Sequence, residues 1–189
     1  MSDKYKAVDD DNAHFVTITV VDWIDLFTRN SLRNVVIDSL KYCREHKGLE
    51  IYGWCLMSSH LHMICKAAEG YKLSDIIRDF KTHTSKKIIE TIINKPESRR
   101  EWLLEAFSKA CEHLKRDQKF KVWQNGYHAE EIRTNAFLTS KLDYIHQNPV
   151  KDGLVESPED YMFSSARNYS ERSSLLEIDV VSRQWKTIT

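Results

Sequence analysis

Two histidines separated by a single residue are the side chains whose types and spacing most directly suggest chemistry in this sequence. His60 and His62 flank Leu61 within an apolar run that predicts a β-strand. On a strand, residues i and i+2 point to the same face, which would set the two imidazoles side by side, roughly 7 Å apart along the backbone. Their ring nitrogens could then converge on one metal ion. The alternative is one buried histidine and one surface histidine, and the pair alone does not decide between them.

A second set of functional side chains lies more than eighty residues downstream, on a predicted helix that opens at Asn135 and is expected to end before Pro149. At about 100° per residue, Tyr144 and Asn148 share one narrow stripe of this helix, and His146 points nearly the opposite way. An amide oxygen is a suitable ligand for a hard divalent cation. The alternatives are that Tyr144 is a half-buried core aromatic and that Asn148 is simply a helix-end residue. The apolar residues expected to dock this helix are Leu138, Leu142 and Ile145.

The elements that must position these residues follow a recognisable order. Hydrophobic periodicity predicts strands at 14–21, 49–56 and 60–66, and a fourth strand or extended segment that begins at 120–123 and runs toward Ile132. Helices are predicted from Asn30 or Ser31 to Gly48, from Ser74 to Asn94, over 100–116 and from Asn135. This order predicts an α+β, ferredoxin-like split βαβ fold, with an antiparallel sheet, helices on one face, an inserted helix and a C-terminal tyrosine-bearing helix. His60 and His62 would then lie on an inner strand.

Composition and charge restrict the class of protein. The chain has 189 residues, of which 41% are hydrophobic and 30% charged, as expected for a globular domain. No apolar run approaches the roughly 20 residues needed to cross a bilayer. The polar N-terminus lacks a secretory signal and the four cysteines form no CxxC pair, so we expect a cytoplasmic protein with reduced thiols. The net charge is zero, but residues 72–121 carry thirteen Lys and Arg against eight Asp and Glu, the most favourable stretch for contacts with phosphates.

The motifs together resemble a known family. His60-Leu61-His62 looks like the HUH motif, and the run from Tyr144 to Leu154, which reads Tyr-Ile-His-Gln-Asn-Pro-Val-Lys-Asp-Gly-Leu, resembles the tyrosine helix of REP-associated tyrosine transposases. These belong to the single-tyrosine HUH transposase superfamily of small insertion sequences. Residues 123–128 and 161–169 are similar to the same family. The resemblance covers residues 13–170, with a helical insertion at about 92–120 and a polar tail over 171–189 to which we assign no secondary structure.

The resemblance implies an activity and a cofactor. It implies cleavage and rejoining of single-stranded DNA, in which Tyr144 attacks the scissile phosphate and leaves a 5′-phosphotyrosine and a free 3′-hydroxyl. A free tyrosine has a pKa of about 10 and is a poor nucleophile at neutral pH, so help is needed. It also implies Mg²⁺ or Mn²⁺ on His60, His62 and Asn148, although two imidazoles could equally accept zinc. A zinc site that uses Cys55 or Cys65 is disfavoured, since alternation directs Cys65 away from the histidines.

The implied partner is single-stranded DNA with hairpin or palindromic ends, and the resemblance leaves open a monomer or a dimer with a swapped helix. One feature departs from the family, because Ser58-Ser59 replaces the Pro-Asn that often precedes the first histidine. The sequence therefore does not show which residue orients the ring of His60. Basic residues that could contact phosphate, and aromatic residues that could stack on an unpaired base, form a wider set of DNA-binding candidates. They are Lys81, Lys86, Lys87, Arg99, Arg100, Trp123, Tyr127 and Arg133.

Three other functions remain to be separated from a transposase. A nickase of the replication-initiator or relaxase type would share the histidines and the tyrosine, but the tyrosine on a late helix matches the transposase order. A metallohydrolase unrelated to DNA is disfavoured because Ile64, and not an aspartate, stands two residues after His62. An inactive ferredoxin-like module that only binds nucleic acid is disfavoured because the three proposed ligands and Tyr144 are all present.

Overall fold

The computed structural model describes residues 12–112 and 118–181. Two short 3-10 turns, Val21–Trp23 and Pro158–Asp160, accompany the strands and helices. The elements in chain order are β1 (His14–Thr19), α1 (Asn30–His46), β2 (Leu49–Leu56), β3 (His60–Ala67), α2 (Leu73–Asn94), α3 (Arg100–Lys109), β4 (His128–Glu131), α4 (Asn135–Lys151) and α5 (Ala166–Tyr169). This order confirms the predicted split βαβ arrangement with an inserted helix and a late helix that carries Tyr144.

The four strands form one antiparallel sheet in the order β2-β3-β1-β4. The two inner strands are therefore β3 and β1, as the fold class predicts. Their register sets His62 opposite Thr17 and His60 opposite Thr19. A histidine pair on an inner strand is held by hydrogen-bonded neighbours on both sides, which makes β3 a rigid base for a site.

Helices cover both faces of the sheet. Helices α1 and α2 pack against each other and against β2 and β3, whereas α4 contacts the same two strands from the other face. Gly53 on β2 allows α4 this close approach, because a Cβ there would lie 2.7 Å from a methyl carbon of Leu142. The expected docking residues Leu138, Leu142 and Ile145 are all buried. The sheet therefore carries the α1 and α2 core on one face and the tyrosine-bearing helix on the other.

Several boundaries differ from those predicted. The helix expected over 100–116 ends at Lys109, and residues 113–117 lie outside the described part of the chain. The fourth strand begins at His128, while Trp123, where it was expected to begin, makes only an isolated bridge to Val20. Helix α4 does not end before Pro149 but continues to Lys151. The proline lies in the last turn, where it removes a single backbone hydrogen bond, and Gly153 with a φ of 68° follows the end of the helix.

The outer edge of β2 is covered by the C-terminal part of the chain. The backbone N–H of Ser165 donates to Trp54 O, and that of Leu56 donates to Phe163 O. Further along the same strand, the N–H of Asp179 donates to Ile51 O. No secondary structure was expected beyond Ser170, yet the side chains of two residues from this region, Leu176 and Ile178, are buried in the core. No helix in the described ranges is long and apolar enough to cross a membrane.

Candidate active site

The two histidines of β3 converge on one face of the sheet. The centroids of the His60 and His62 rings are 4.5 Å apart, with the ring planes at 75°. His62 is 4% exposed and His60 is half-buried. The Nε2 atom of His62 is buried and has no hydrogen-bond partner among the described residues. A buried imidazole nitrogen without a partner is costly, and a ligand that binds this nitrogen would remove the cost.

Neighbouring hydroxyl groups orient both rings through the other nitrogen. Thr17 Oγ1 lies 2.9 Å from His62 Nδ1, and Ser59 Oγ lies 3.1 Å from His60 Nδ1. If each Nδ1 carries the proton and donates it to the hydroxyl, each Nε2 keeps a lone pair for a cation, which is the usual arrangement around metal-binding histidines. Ser59 therefore supplies the support for His60 that the departure from Pro-Asn had left open.

The surroundings keep both rings neutral. Burial, with smaller contributions from His60 and Lys141, lowers the pKa of His62 to about 3. Burial also lowers the pKa of His60, against an opposing effect of the Asp152 carboxylate. Both imidazoles are consequently uncharged at neutral pH, and the neutral form is the one that binds a metal ion.

Tyr144 stands beside the buried histidine. The centroid of its ring lies 5.3 Å from that of His62, and both rings contact Phe15. The tyrosine is 41% exposed, so it is accessible to a large substrate. The Nζ atoms of Lys141 and Lys151 lie 6.0 Å and 5.7 Å from the centroid of the tyrosine ring. Lys141 Nζ is also paired with Glu130 Oε1 at 3.0 Å, so Lys151 is the better placed of the two lysines to attract a phosphodiester to the phenol.

Asn148 lies between two residues of α4 that act on the histidine pair. Tyr144, one turn before it, contacts His62, and the charge of Asp152, at the C-terminal cap one turn after it, acts on His60. Residues four apart share one helix face, which sets Asn148 on the same side of α4 as Tyr144. Its Nδ2 atom is buried without a hydrogen-bond partner in the described ranges. Because the two ends of an amide exchange by a simple flip, this buried position can equally present the oxygen.

The opposite face of α4 has a structural role. His146 Nε2 lies 2.8 Å from Ser165 Oγ, which accepts the N–H of Trp54 at 2.8 Å and donates to Trp54 O at 3.1 Å. Tyr161 likewise donates from its hydroxyl to Leu56 O. These contacts fasten α4 and the C-terminal segment to β2. The expectation that His146 points away from Tyr144 agrees with this position.

The DNA-binding candidates separate into two groups. The first group is occupied by contacts within the chain: Arg99 donates to Asp25 O and Thr28 Oγ1, and Arg100 donates to Ile92 O and Lys95 O. Two more basic candidates form exposed ion pairs, Lys87 with Glu90 and Arg133 with Glu131. Trp123 is 3% exposed, and its indole N–H donates to Thr84 Oγ1, so it is a core residue and not a surface for base stacking.

The second group lines a groove of about 940 Å³ between α2 and residues 118–127. Lys81, Lys86 and Tyr127 belong to it, and Lys81 Nζ donates to the backbone carbonyls of Gln124 and Gly126. Five basic residues line the groove against one acidic residue. They are Arg78, Lys81, Lys86, Lys119 and Lys121, with Glu90 as the acid.

Sequence reasoning missed Thr17, Phe15 and Trp23. Thr17 and Phe15 become visible only once the register of β1 with β3 is known. Trp23 is 59% exposed, and its ring centroid lies 5.4 Å from that of His60. Asp22 and Trp23 have φ angles of 53° and 55°, a left-handed conformation that aspartate adopts more readily than most residues and that costs about 1–2 kcal/mol for a bulky residue such as Trp23. Nothing in the sequence around Asp22 and Trp23 indicates that the chain adopts this conformation there.

The ligands available for a cation are two imidazoles and an amide. No three His, Cys, Asp or Glu side chains gather into a metal-binding group anywhere in residues 12–112 and 118–181. The thiols of Cys55 and Cys65 are buried, and burial raises the pKa of both, to about 12 for Cys65. A thiol with a raised pKa is a poor metal ligand, so the zinc site based on cysteine gains no support.

Comparison with known proteins places this geometry in a family. The family model described as "Transposase IS200 like" matches residues 7–105. The chain is 26% identical over 157 residues to a Haemophilus influenzae protein named as a REP-associated tyrosine transposase, covering 80% of this chain and 78% of that protein.

A solved structure has the same fold. It is a REP-associated tyrosine transposase bound to a REP hairpin, and it matches with a TM-score of 0.60 and 22% identity over the whole of both chains. At this identity, the likeness is evidence for the fold alone. Because the family model spans more than half of the sequence, the chain belongs to the family of IS200-like transposases, which are enzymes that act on DNA.

Proposed function

We propose that this transposase cleaves and rejoins single-stranded DNA with the help of a divalent cation and through a covalent bond to Tyr144. One observation carries the proposal. The ring of Tyr144 lies 5.3 Å from His62, whose buried Nε2 has no partner in the described part of the chain. A nucleophile next to an open ligand position is what a metal-assisted transesterification needs. Both groups come from one chain, which supports a site completed by a single copy.

In the proposed step the phenolic oxygen of Tyr144 attacks the scissile phosphorus. The new bond is phosphorus to tyrosine oxygen, and the bond that breaks is phosphorus to the 3′ oxygen of the preceding nucleotide. The phenol loses its proton to solvent and the departing 3′ oxygen gains one, so the products are a 5′-phosphotyrosine and a free 3′-hydroxyl. The number of phosphodiester bonds is unchanged, and the reverse attack by a 3′-hydroxyl rejoins DNA without an added energy source.

His60, His62 and Asn148 would hold the cation. The fit is supported by the neutral state of both rings and by two buried atoms that have no partner among the described residues, Nε2 of His62 and Nδ2 of Asn148. When bound, Mg²⁺ or Mn²⁺ at this position would offset the negative charge that grows on a non-bridging phosphate oxygen. An ion held by these three side chains would still have room for ligands from the substrate and from water. Lys151 adds positive charge on the tyrosine side of the site, whereas the charge of Lys141 is paired with that of Glu130.

We propose that the groove between α2 and residues 118–127 holds the phosphate backbone of the bound DNA. Five basic residues line the groove against one acidic residue; Arg78 is paired with Asp75 and Asp79, and the basic excess that remains favours a polyanion. Among the candidates, Lys86 and Tyr127 are placed for this role, whereas Arg99 and Arg100 donate to backbone carbonyls, and so does Lys81 within the groove itself. The solved relative has a hairpin bound, which supports hairpin or palindromic DNA as the substrate class.

The test uses single-stranded DNA from both flanks of the gene that encodes this chain. Strands labelled at the 3′ end are incubated with the protein and Mn²⁺, then separated in SDS. We expect the 3′ label to become attached to the wild-type protein, and in a parallel reaction with strands labelled at the 5′ end we expect that label on a shorter, released strand. Tyr144→Phe should bind the same DNA with unchanged affinity and give no attached label.

The outcomes separate the remaining functions. An attached label of equal yield in Tyr144→Phe would remove this residue from the mechanism. A wild-type protein that binds the strands but never attaches a label or cleaves them would instead identify an inactive binding module. Cleavage at full rate in the presence of EDTA would overturn the role of the cation and leave that of the tyrosine intact.

A further inference from the structure

We infer that Trp23 is a stacking platform for a base next to the scissile phosphate. The inference rests on the proposed function, because it assigns a substrate contact to the same site. Its basis is an exposed indole in a strained turn at the edge of the candidate metal site. Backbone strain of this kind persists only where the surroundings enforce it, and it concentrates at functional sites.

The turn that carries Trp23 is held rigidly from several directions. The N–H of Val20 donates to Ser59 O, next to His60, and that of Val21 donates to Val122 O. After the turn, the N–H of Phe27 donates to Ser58 O at 2.8 Å. These three bonds tie both ends of the turn to its surroundings, two of them to the loop that leads into β3. Trp23 therefore keeps a fixed position relative to the histidine pair.

A cluster of charges reinforces the same turn. Ser58 Oγ donates to Asp25 Oδ1 at 2.6 Å, and Arg99 Nη1 donates to Asp25 O at 2.6 Å. Arg99 is itself paired with Glu97, whose side chain is 3% exposed and which also pairs with Arg29. The α2–α3 connection thus clamps the loop between β1 and α1. Arg99, a candidate for DNA contact, contributes instead to holding the turn that presents Trp23.

Packing does not explain the position of the indole. Its neighbours Val20, Val21, Ile24, Leu26 and Phe27 are all buried, but Trp23 remains 59% exposed. The hydrophobic effect would favour turning so large an apolar group inward. The indole contacts His60 with the ring planes at 70°, so the two rings do not stack on each other, and most of the indole surface stays in solvent.

An exposed indole in this place suits an unpaired base. Bases stack on aromatic side chains with little dependence on sequence, because every base offers a flat face. A phosphate placed for attack by Tyr144, beside the histidine pair, would bring its adjoining nucleotide within reach of an indole centred 5.4 Å from the ring of His60. Stacking there would fix the nucleotide beside the attacking phenol, which makes Trp23 a substrate-positioning residue.

The test compares Trp23→Ala, Trp23→Phe and Trp23→Gly with Trp102→Ala. Trp102 lies on α3 and is 52% exposed, so it controls for the loss of an exposed indole elsewhere. Binding of fluorescein-labelled single strands from the gene's flanks is measured in the Tyr144→Phe background with EDTA, where neither chemistry nor cation contributes. We expect Trp23→Ala to weaken binding by about 5- to 150-fold, the range found for stacking aromatics. Trp23→Phe should keep most of the affinity and Trp102→Ala all of it.

Two further measurements distinguish stacking from a structural role. Glycine accepts the left-handed conformation without strain, so Trp23→Gly should melt at an equal or higher temperature than wild type and still lose affinity. Strands with one abasic nucleotide, moved position by position, should reveal one position where base removal weakens binding in wild type but not in Trp23→Ala. Equal affinities of Trp23→Ala and Trp102→Ala, or abasic profiles that coincide in wild type and Trp23→Ala, would overturn the inference.

The experiment also separates this inference from the proposed function. A protein that attaches DNA to Tyr144 but shows no Trp23 effect would retain the function and lose the stacking role. One that shows the Trp23 effect but never attaches DNA would retain the stacking role and lose the chemistry. Failure of wild type to bind any single strand would overturn both.

Discussion

His62 of β3 lies beside one face of α4, and His146 projects from the opposite face. The two histidines differ in whether their hydrogen-bonding groups have partners. On one face, His62 is buried with an Nε2 that has no partner in the described part of the chain, and Asn148 nearby has an unpartnered Nδ2. On the other face, His146 pairs with Ser165, which is itself bonded to the backbone of Trp54. This satisfied face, which carries His146, joins α4 to the C-terminal segment and to β2. The unsatisfied face, next to His62 and Asn148, lowers stability because buried polar atoms lack partners, and a bound ligand would offset this cost.

The largest effect is expected from removing both imidazoles on the unsatisfied face. His60→Ala/His62→Ala should give no covalent DNA adduct in Mn²⁺, because the proposed cation loses two of its three protein ligands. The variant should also lose the rise in melting temperature that Mn²⁺ gives to wild type. Tyr144→Phe serves as the control, since it should keep that rise. An equal rise in the double variant would place the cation elsewhere.

The second largest effect is expected from removing the hydroxyl of Thr17, which orients the ring of His62. Thr17→Val keeps the shape of the side chain but removes the partner of His62 Nδ1. We expect a loss of about 10- to 100-fold in Mn²⁺ affinity, as is usual when such an outer contact is removed. Calorimetric titration measures it, and Thr17→Ser should recover most of the affinity. A Val variant that binds Mn²⁺ as wild type does would show that the ring needs no orientation.

A variant on the satisfied face should lose stability but keep its affinity for Mn²⁺. His146→Ala removes a side chain that bonds Ser165 and packs on Tyr169. Its free energy of unfolding should fall by about 1–3 kcal/mol, because a partly buried hydrogen bond and the packing of the ring are lost. Denaturant titration measures this loss, and Mn²⁺ affinity should not change. A folded His146→Ala variant that no longer binds Mn²⁺ would show that both faces of α4 contribute to cation binding.

The smallest effect is expected at Tyr161. Its hydroxyl donates to Leu56 O at 2.9 Å, a single buried hydrogen bond between the C-terminal segment and β2. Tyr161→Phe should lower the free energy of unfolding by about 1 kcal/mol, with adduct formation unchanged at temperatures where the variant is folded. A clear loss of adduct at such a temperature would show that this segment takes part in chemistry.

Periodicity predicted most of the fold because the elements that hold the site are long and strongly patterned. The bounds of β2 were predicted to the residue, and those of β3 to within one residue. Helix α4 was expected to end before Pro149, since the residue before a proline disfavours helix. The buried ring of Pro149 lies in the last turn instead, and the helix continues to Lys151. Asn148 therefore stays in helical geometry, one turn after Tyr144.

The surroundings of the site could not be predicted because they depend on tertiary contacts. Thr17 meets His62 only through the register of β1 with β3. Trp123 gave the signal of a stacking aromatic but is buried against Phe27, and Trp23 gave no signal but is exposed beside His60. The path of the backbone around Trp23 and Trp123 decides which of the two is exposed. The sequence pattern near these residues does not specify that path. The roles of His60, His62, Asn148 and Tyr144 stay predictions until the variants are measured.

The covering of β2 by the C-terminal segment has a practical consequence for the domain limits. A boundary at residue 170 is the natural choice from the sequence, but a chain shortened there would lose Leu176, Ile178 and the bond from Asp179 to Ile51. Part of β2 would then present unpaired backbone groups and bare apolar surface to solvent. Open strand edges recruit one another, so such a truncation would be prone to aggregate even with every proposed ligand in place.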